Sequence, residues 1–207
     1  MTIGIIVLNV AVFFLEISAG AAMRKVTYAY GAIPQSILTF RTDQPVHPAV
    51  TVLSSMFLHG GLFHLGGNML YLWIFGNNIE DRLGHLRFLL FYLFSGVFAA
   101  YAYAISEPHS SIPMIGASGA ISGVLGAYLL LFPRATVHTL IFLGFFITIV
   151  RIPALIVIGF WAIIQFVNGI VSAGIHDGGG VAWFAHVGGL LIGLVTIKLW
   201  LPGRSKH

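Results

Sequence analysis

Two polar side chains stand at the rims of apolar segments. Ser118 lies in Gly116-Ala117-Ser118-Gly119, which opens one such segment, and His186 lies in Ala185-His186-Val187-Gly188-Gly189, which opens another. A hydroxyl or an imidazole buried there costs free energy unless it has a partner. Each can partner the other. A serine hydroxyl beside an imidazole is the start of nucleophilic chemistry, because a base that takes its proton turns a weak nucleophile into a strong one. At a helix N-terminus, free backbone N–H groups and the helix dipole also stabilise a developing oxyanion. Gly116 and Gly119 leave room for a substrate backbone to come close.

A second polar pair occurs earlier, in Phe63-His64-Leu65-Gly66-Gly67-Asn68. The i, i+4 spacing puts His64 and Asn68 on one helix face. Both can donate to an anionic tetrahedral intermediate, together with the Ser118 N–H. No acid is placed to orient His186. The six acids are Glu16, Asp43, Glu80, Asp81, Glu107 and Asp177, and the two on the appropriate face, Glu107 and Asp177, fall in loops. A Ser–His dyad is therefore expected, not a triad. Each feature has a plainer explanation. Small residues around a serine pack membrane helices, a lone histidine binds a carbonyl or marks a proton path, and His64 with Asn68 serves as interhelical glue.

The elements that must hold these groups are membrane helices. The chain is 58% hydrophobic and 8% charged, against about 25% charged in soluble domains. We expect an all-α membrane protein with one transmembrane domain over residues 1–207. A crossing takes about 20 apolar residues. Six candidates run roughly from Ile3 to Ala19, Leu58 to Phe75, Leu86 to Ile105, Ser118 to Phe132, Ala154 to Val171 and Val181 to Leu199. The first lacks a basic leader region and carries Asn9 and Glu16, so it reads as a retained span and not a signal peptide. The stretch from Thr136 to Val150, between Arg134 and Arg151, is short for a span and is expected to be interfacial or re-entrant, with a helix starting near Pro153. Six spans bring Ser118 and His186 to one face; seven would separate them.

With the N-terminus inside, the inner face holds Arg82, Arg87, Arg134, Arg151, Lys198, Arg204 and Lys206, and the outer face holds Arg24, Lys25 and Arg41. That distribution satisfies the positive-inside rule and turns Ser118 and His186 outward. The connection from Met23 to Phe57 mixes prolines with apolar residues and is expected to lie partly in the interface. Gly119, Gly123 and Gly126 on one helix face Gly189 and Gly193 on another, a pattern that permits close helix approach. Cysteine is absent, which removes thiol catalysis, disulfides and thiolate metal sites. No cofactor or metal is called for, no H-E-x-x-H string occurs, and no basic cluster suits nucleic acid.

Taken together, these residues resemble the rhomboid family of intramembrane serine proteases. His59 and His64 with Asn68 look like its second-helix H-x-x-x-N region. Glu80-Asp81-Arg82 followed by Leu83-Gly84 looks like its E-x-R element on an inner loop. Gly116-Ala117-Ser118-Gly119 with Gly123 and Gly126 resembles its nucleophile helix, and Ala185-His186 with Gly189 and Gly193 its final helix. The resemblance implies a six-transmembrane-helix rhomboid bundle with a water-filled cavity open to the outer side. It implies Ser118 as nucleophile, His186 as general base, and His64, Asn68 and the Ser118 amide as an oxyanion hole. It implies single-span membrane protein substrates, reached through membrane lipid between the second and fifth helices. The position one turn after the nucleophile, often aromatic in the family, is Ser122 here. Trp161, Gln165 and Phe166 are the candidates to brace His186 or form the gate, and Glu80 with Arg82 is expected to be a structural ion pair. The compact chain suits a multi-pass protein of a bacterial inner membrane, its site facing outward. Two other classes compete with this reading: a proteolytically dead relative that binds membrane clients, against which both Ser118 and His186 are retained, and a small transporter, against which the span interiors carry only Glu16.

Overall fold

The computed structural model describes residues 1–143, 146–172 and 181–203. Asp177, Arg204 and Lys206 lie outside the described residues. Helix α1, Thr2–Ser18, buries Thr2, Ile5, Asn9, Phe13 and Glu16 along one face. The spacing is that of a helix stripe, but here the inward stripe carries the polar residues. The outward face, with Ile3, Val7, Phe14 and Leu15 exposed, is apolar up to Ser18 at the helix end. That inversion is what a lipid solvent demands.

The path then bends by 109°. Three short helices follow: α2 (Met23–Tyr30), α3 (Pro34–Thr39) and α4 (Pro48–Ser54). Both α3 and α4 start on proline, whose missing N–H and fixed φ suit the first helical position. A backbone pair between Ala32 and Met114, at 3.0 and 2.8 Å, ties this segment to the loop before Ser118. After α4 the chain bends again, by 85°.

Helix α5 (Leu62–Tyr71) runs through a π turn at Leu72–Gly76 into α6 (Asn77–Leu83). This corrects the expectation of a span from Leu58 to Phe75 followed by an inner loop. Glu80, Asp81 and Arg82 are helical, and the helix stops at Gly84, whose φ of +78° is cheap only for glycine. Apolar periodicity ends before the helix does, because polar side chains are welcome once it leaves the hydrocarbon. The expected Glu80–Arg82 ion pair is also corrected. The Glu80 carboxylate takes the Met1 nitrogen, the Thr2 N–H at 2.6 Å and the His85 ring, whereas Arg82 lies 5.9 Å above the Phe132 ring.

The remaining elements are α7 (His85–Ser106), α8 (Ser118–Leu131), strands β1 (Thr136–Leu143) and β2 (Phe146–Pro153), α9 (Ala154–Ser172) and α10 (Trp183–Trp200). Helices α7, α9 and α10 are each long and apolar enough to cross a bilayer, and the count reaches five when each bent pair is one crossing. Helix α8 has 14 residues, or about 21 Å of rise. Every residue from Ala120 to Tyr128 is buried, so neighbouring helices wrap α8 on all sides. The molecule is thus a mostly helical membrane bundle with α8 at its centre.

The stretch expected to be interfacial or re-entrant forms a β-hairpin, with Thr136 opposite Pro153 and Leu143 opposite Phe146. β-branched residues dominate it (Thr136, Val137, Thr139, Ile141, Ile147, Thr148, Ile149, Val150, Ile152), and they favour extended backbone. The chain is therefore not all-α.

Helices α8 and α10 meet backbone to backbone. A Cβ at Gly193 would sit 2.6 Å from Gly123 Cα, and one at Gly126 would sit 2.8 Å from Leu194 N. Gly189 faces the Gly119 carbonyl in the same way, while Gly119 also abuts Ala99 of α7. Gly193→Ala is expected to destabilise the protein by about 1–3 kcal/mol, the usual cost of overpacking. Thermal unfolding in detergent measures this, and a variant as heat-resistant as the parent would show that the two helices part without penalty.

Candidate active site

The α8–α10 contact sets the site. Ser118 is the first residue of α8, and His186 lies in the first turn of α10. Their side chains meet, with Ser118 Oγ 2.7 Å from His186 Nε2. The other ring nitrogen, Nδ1, lies 2.7 Å from Gln165 Oε1. Gln165 Nε2 donates to the Trp161 carbonyl one turn back on α9, at 3.3 Å, which directs the amide oxygen toward the ring. An amide oxygen only accepts, so Nδ1 carries the proton and Nε2 presents a lone pair to the serine hydroxyl. This tautomer is assigned from the hydrogen-bond partners.

Trp161 lies beside the imidazole, with ring centroids 5.8 Å apart and planes tilted by 36°. Trp183 meets it edge-on at 6.3 Å. Ser122 does not reach His186; its hydroxyl donates to the Ser118 carbonyl at 2.6 Å. Phe166 faces outward and is half exposed. Trp161 and Gln165 of α9 thus hold the ring that Ser122 leaves unsupported. Sequence reasoning offered Gln165 only as one brace among three. Its signal was a polar residue in a mostly apolar helix, shared there with Asn168 and Ser172.

Across the cavity stands His64, in the first turn of α5. Its Nδ1 accepts from the Gly60 N–H at 3.4 Å, so Nε2 carries the proton. A Cβ built on Gly116 would lie 2.7 Å from that Nε2 and 3.7 Å from Asn68 Nδ2. Gly116 therefore belongs to the wall of the site, and its φ of +122° reserves the place for glycine. The Gly116 N–H is held by the Ser55 carbonyl at 2.8 Å. Asn68 is buried, and its Nδ2 has no acceptor among the described residues. A buried donor without a partner is costly, and this one is aimed at a space. Ser118, His186, His64 and Asn68 line a single cavity of about 670 Å³. Among the described residues no three His, Asp or Glu side chains converge as a metal would require.

His59, the other histidine of this region, is fully buried away from the cavity. Its ring packs edge-on against His64 with centroids 5.1 Å apart. Its backbone N–H donates to Glu16 Oε2 of α1 at 3.0 Å.

Residues 47–202 match the family described as Rhomboid domain. The chain belongs to the rhomboid family. Among its rhomboid relatives, Rhomboid protease GluP of Bacillus subtilis is 37% identical over 125 residues, covering 60% of this chain and 23% of that protein. Rhomboid protein 1, mitochondrial, of Saccharomyces cerevisiae is 36% identical over 98 residues, 45% of this chain and 28% of that one. The human Presenilin-associated rhomboid-like protein, mitochondrial, is 32% identical over 148 residues, 69% of this chain and 35% of that one. The match thus spans between a fifth and two fifths of these relatives' lengths. Rhomboid relatives carry both bacterial and mitochondrial names, and the chain is a multi-pass integral membrane protein of this family.

Proposed function

We propose that this rhomboid is an intramembrane serine endopeptidase acting on single-span membrane proteins, with Ser118 as nucleophile and His186 as general base. The observation that carries the proposal is the 2.7 Å approach of Ser118 Oγ to an imidazole whose far nitrogen is anchored on Gln165. His186 Nε2 takes the hydroxyl proton as Oγ attacks the scissile carbonyl carbon. Negative charge moves to the carbonyl oxygen. Three donors await it: His64 Nε2, Asn68 Nδ2 and the N–H of Ser118, which as a first-turn amide has no partner four residues back. The imidazolium then gives its proton to the leaving amine, and the C–N bond breaks. A water enters, loses a proton to His186, and hydrolyses the acyl-enzyme. Gln165 accepts from Nδ1 throughout and keeps the ring in the tautomer that each step needs.

We count α8 as the sixth crossing, beside three single helices and two bent ones, and place residues 1–207 in one transmembrane domain. With the N-terminus inside, the cavity opens toward the outer face. We assign the chain to a bacterial plasma membrane.

The test is cleavage of a single-span substrate by purified protein in liposomes. Product that ends within or beside the substrate's apolar segment supports the proposal, and an intact substrate under all lipid compositions sinks it. Gln165→Leu is expected to lower kcat about tenfold to hundredfold with little change in KM, because it frees the ring's tautomer without touching substrate. An unchanged kcat in that variant would remove Gln165 from the mechanism.

A further inference from the structure

Helix α1 turns three polar residues inward, Thr2, Asn9 and Glu16, and one of them is an acid. Glu16 is 2% exposed, and among the described residues no cation pairs with it. A carboxylate buried without a cation is among the more costly groups a membrane protein can keep. Its Oε2 accepts from the His59 N–H at 3.0 Å, across 43 residues of sequence. Its Oε1 and the His59 Nε2 are both buried without a partner among the described residues. Among the described residues the carboxylate therefore holds one backbone amide and nothing else.

That amide lies at a telling place. His59 sits in the bend between α4 and α5, where the direction changes by 85°. The next residue, Gly60, donates its own N–H to His64 Nδ1 and so sets which His64 nitrogen bears the proton. His64 in turn presents Nε2 to Gly116 and the cavity. The His59 ring, 5.1 Å from the His64 ring, limits the latter's rotation from behind. A continuous series of contacts thus runs from the first helix to the oxyanion side of the site.

We propose that Glu16 is a positioning residue that clamps the His59–Gly60 backbone so that His64 meets the oxyanion with the correct nitrogen. This rests on the peptidase reading of the site. Without the clamp the bend relaxes, and His64 moves or turns over. A displacement of about 1 Å in a catalytic group costs about 10²-fold. Rate would fall while substrate binding holds, since the donor is engaged only as charge develops.

Two variants separate the bond from the charge. Glu16→Met removes the acceptor at similar volume, and Glu16→Gln keeps an oxygen for the His59 N–H. We expect E16M to lower kcat about 10²-fold with KM nearly constant, and E16Q to restore most of it. We expect hydrogen exchange of the His59 amide to be slow in the parent and in E16Q, and fast in E16M. Parental kcat in E16M, a loss confined to KM, or E16Q as slow as E16M would each overturn the clamp. If E16M cannot be recovered folded, the parent's exchange and the kcat of E16Q decide: a rapidly exchanging His59 amide, or a crippled E16Q, overturns it. A parent that cleaves nothing would fell the peptidase reading instead, and the exchange comparison would still test the clamp.

Discussion

Ser118→Ala is expected to lower cleavage of a single-span substrate by about 10⁴- to 10⁶-fold, the range lost when a nucleophile that works with a base is removed. The change is mild for the fold. Ser118 is half-buried, and its hydroxyl has one hydrogen-bond partner among the described residues, His186. Its loss leaves the α8–α10 glycine contact untouched. The expected rate drop is therefore chemical, and thermal unfolding should shift little. His186→Asn should cost a similar factor, and the double variant should be no worse than either single one, because hydroxyl and imidazole act as a unit. Time courses of product formation at high protein concentration measure all three. A Ser118→Ala protein within about tenfold of the parent would place the nucleophile elsewhere.

His64→Ala is expected to reduce kcat by about 10²–10³-fold, with KM almost unchanged. The donor matters when the carbonyl oxygen becomes charged, and hardly before. Asn68→Ala should behave alike for a more specific reason. Asn68 Nδ2 has no acceptor among the described residues, so its removal breaks none of their bonds to that nitrogen. A residue acting as interhelical glue would behave in the opposite way, with stability lost and rate kept. Paired measurements of kcat and unfolding temperature on the two variants distinguish these roles.

The sequence carried part of this in plain view. A serine and a histidine that open apolar segments attract notice because lipid makes such residues expensive, and these are the two side chains that meet at 2.7 Å. The glycines at 119, 123, 126, 189 and 193 have no side chain to bury, so close backbone approach is their natural use. What hid was set by tertiary structure. A glutamine's partner cannot be read from one helix, because Gln165 and His186 share a bond only once α9 lies against α10. Glu16 was visible as the acid inside a span, but its acceptor role depends on a bend 43 residues away. The hairpin after α8 was obscured because a short apolar run fits strand, re-entrant segment and buried helix alike. The extension of α6 to Leu83 was missed because apolar periodicity marks the membrane, not the helix.

The central claim is that His186 activates Ser118. Labelling with a fluorophosphonate, read by peptide mass spectrometry, tests it most directly. We expect the phosphonyl group on Ser118 in the parent protein, and its loss or severe slowing in His186→Asn while the protein stays folded. Modification at another residue, or equal labelling of Ser118 with and without the imidazole, would contradict the account.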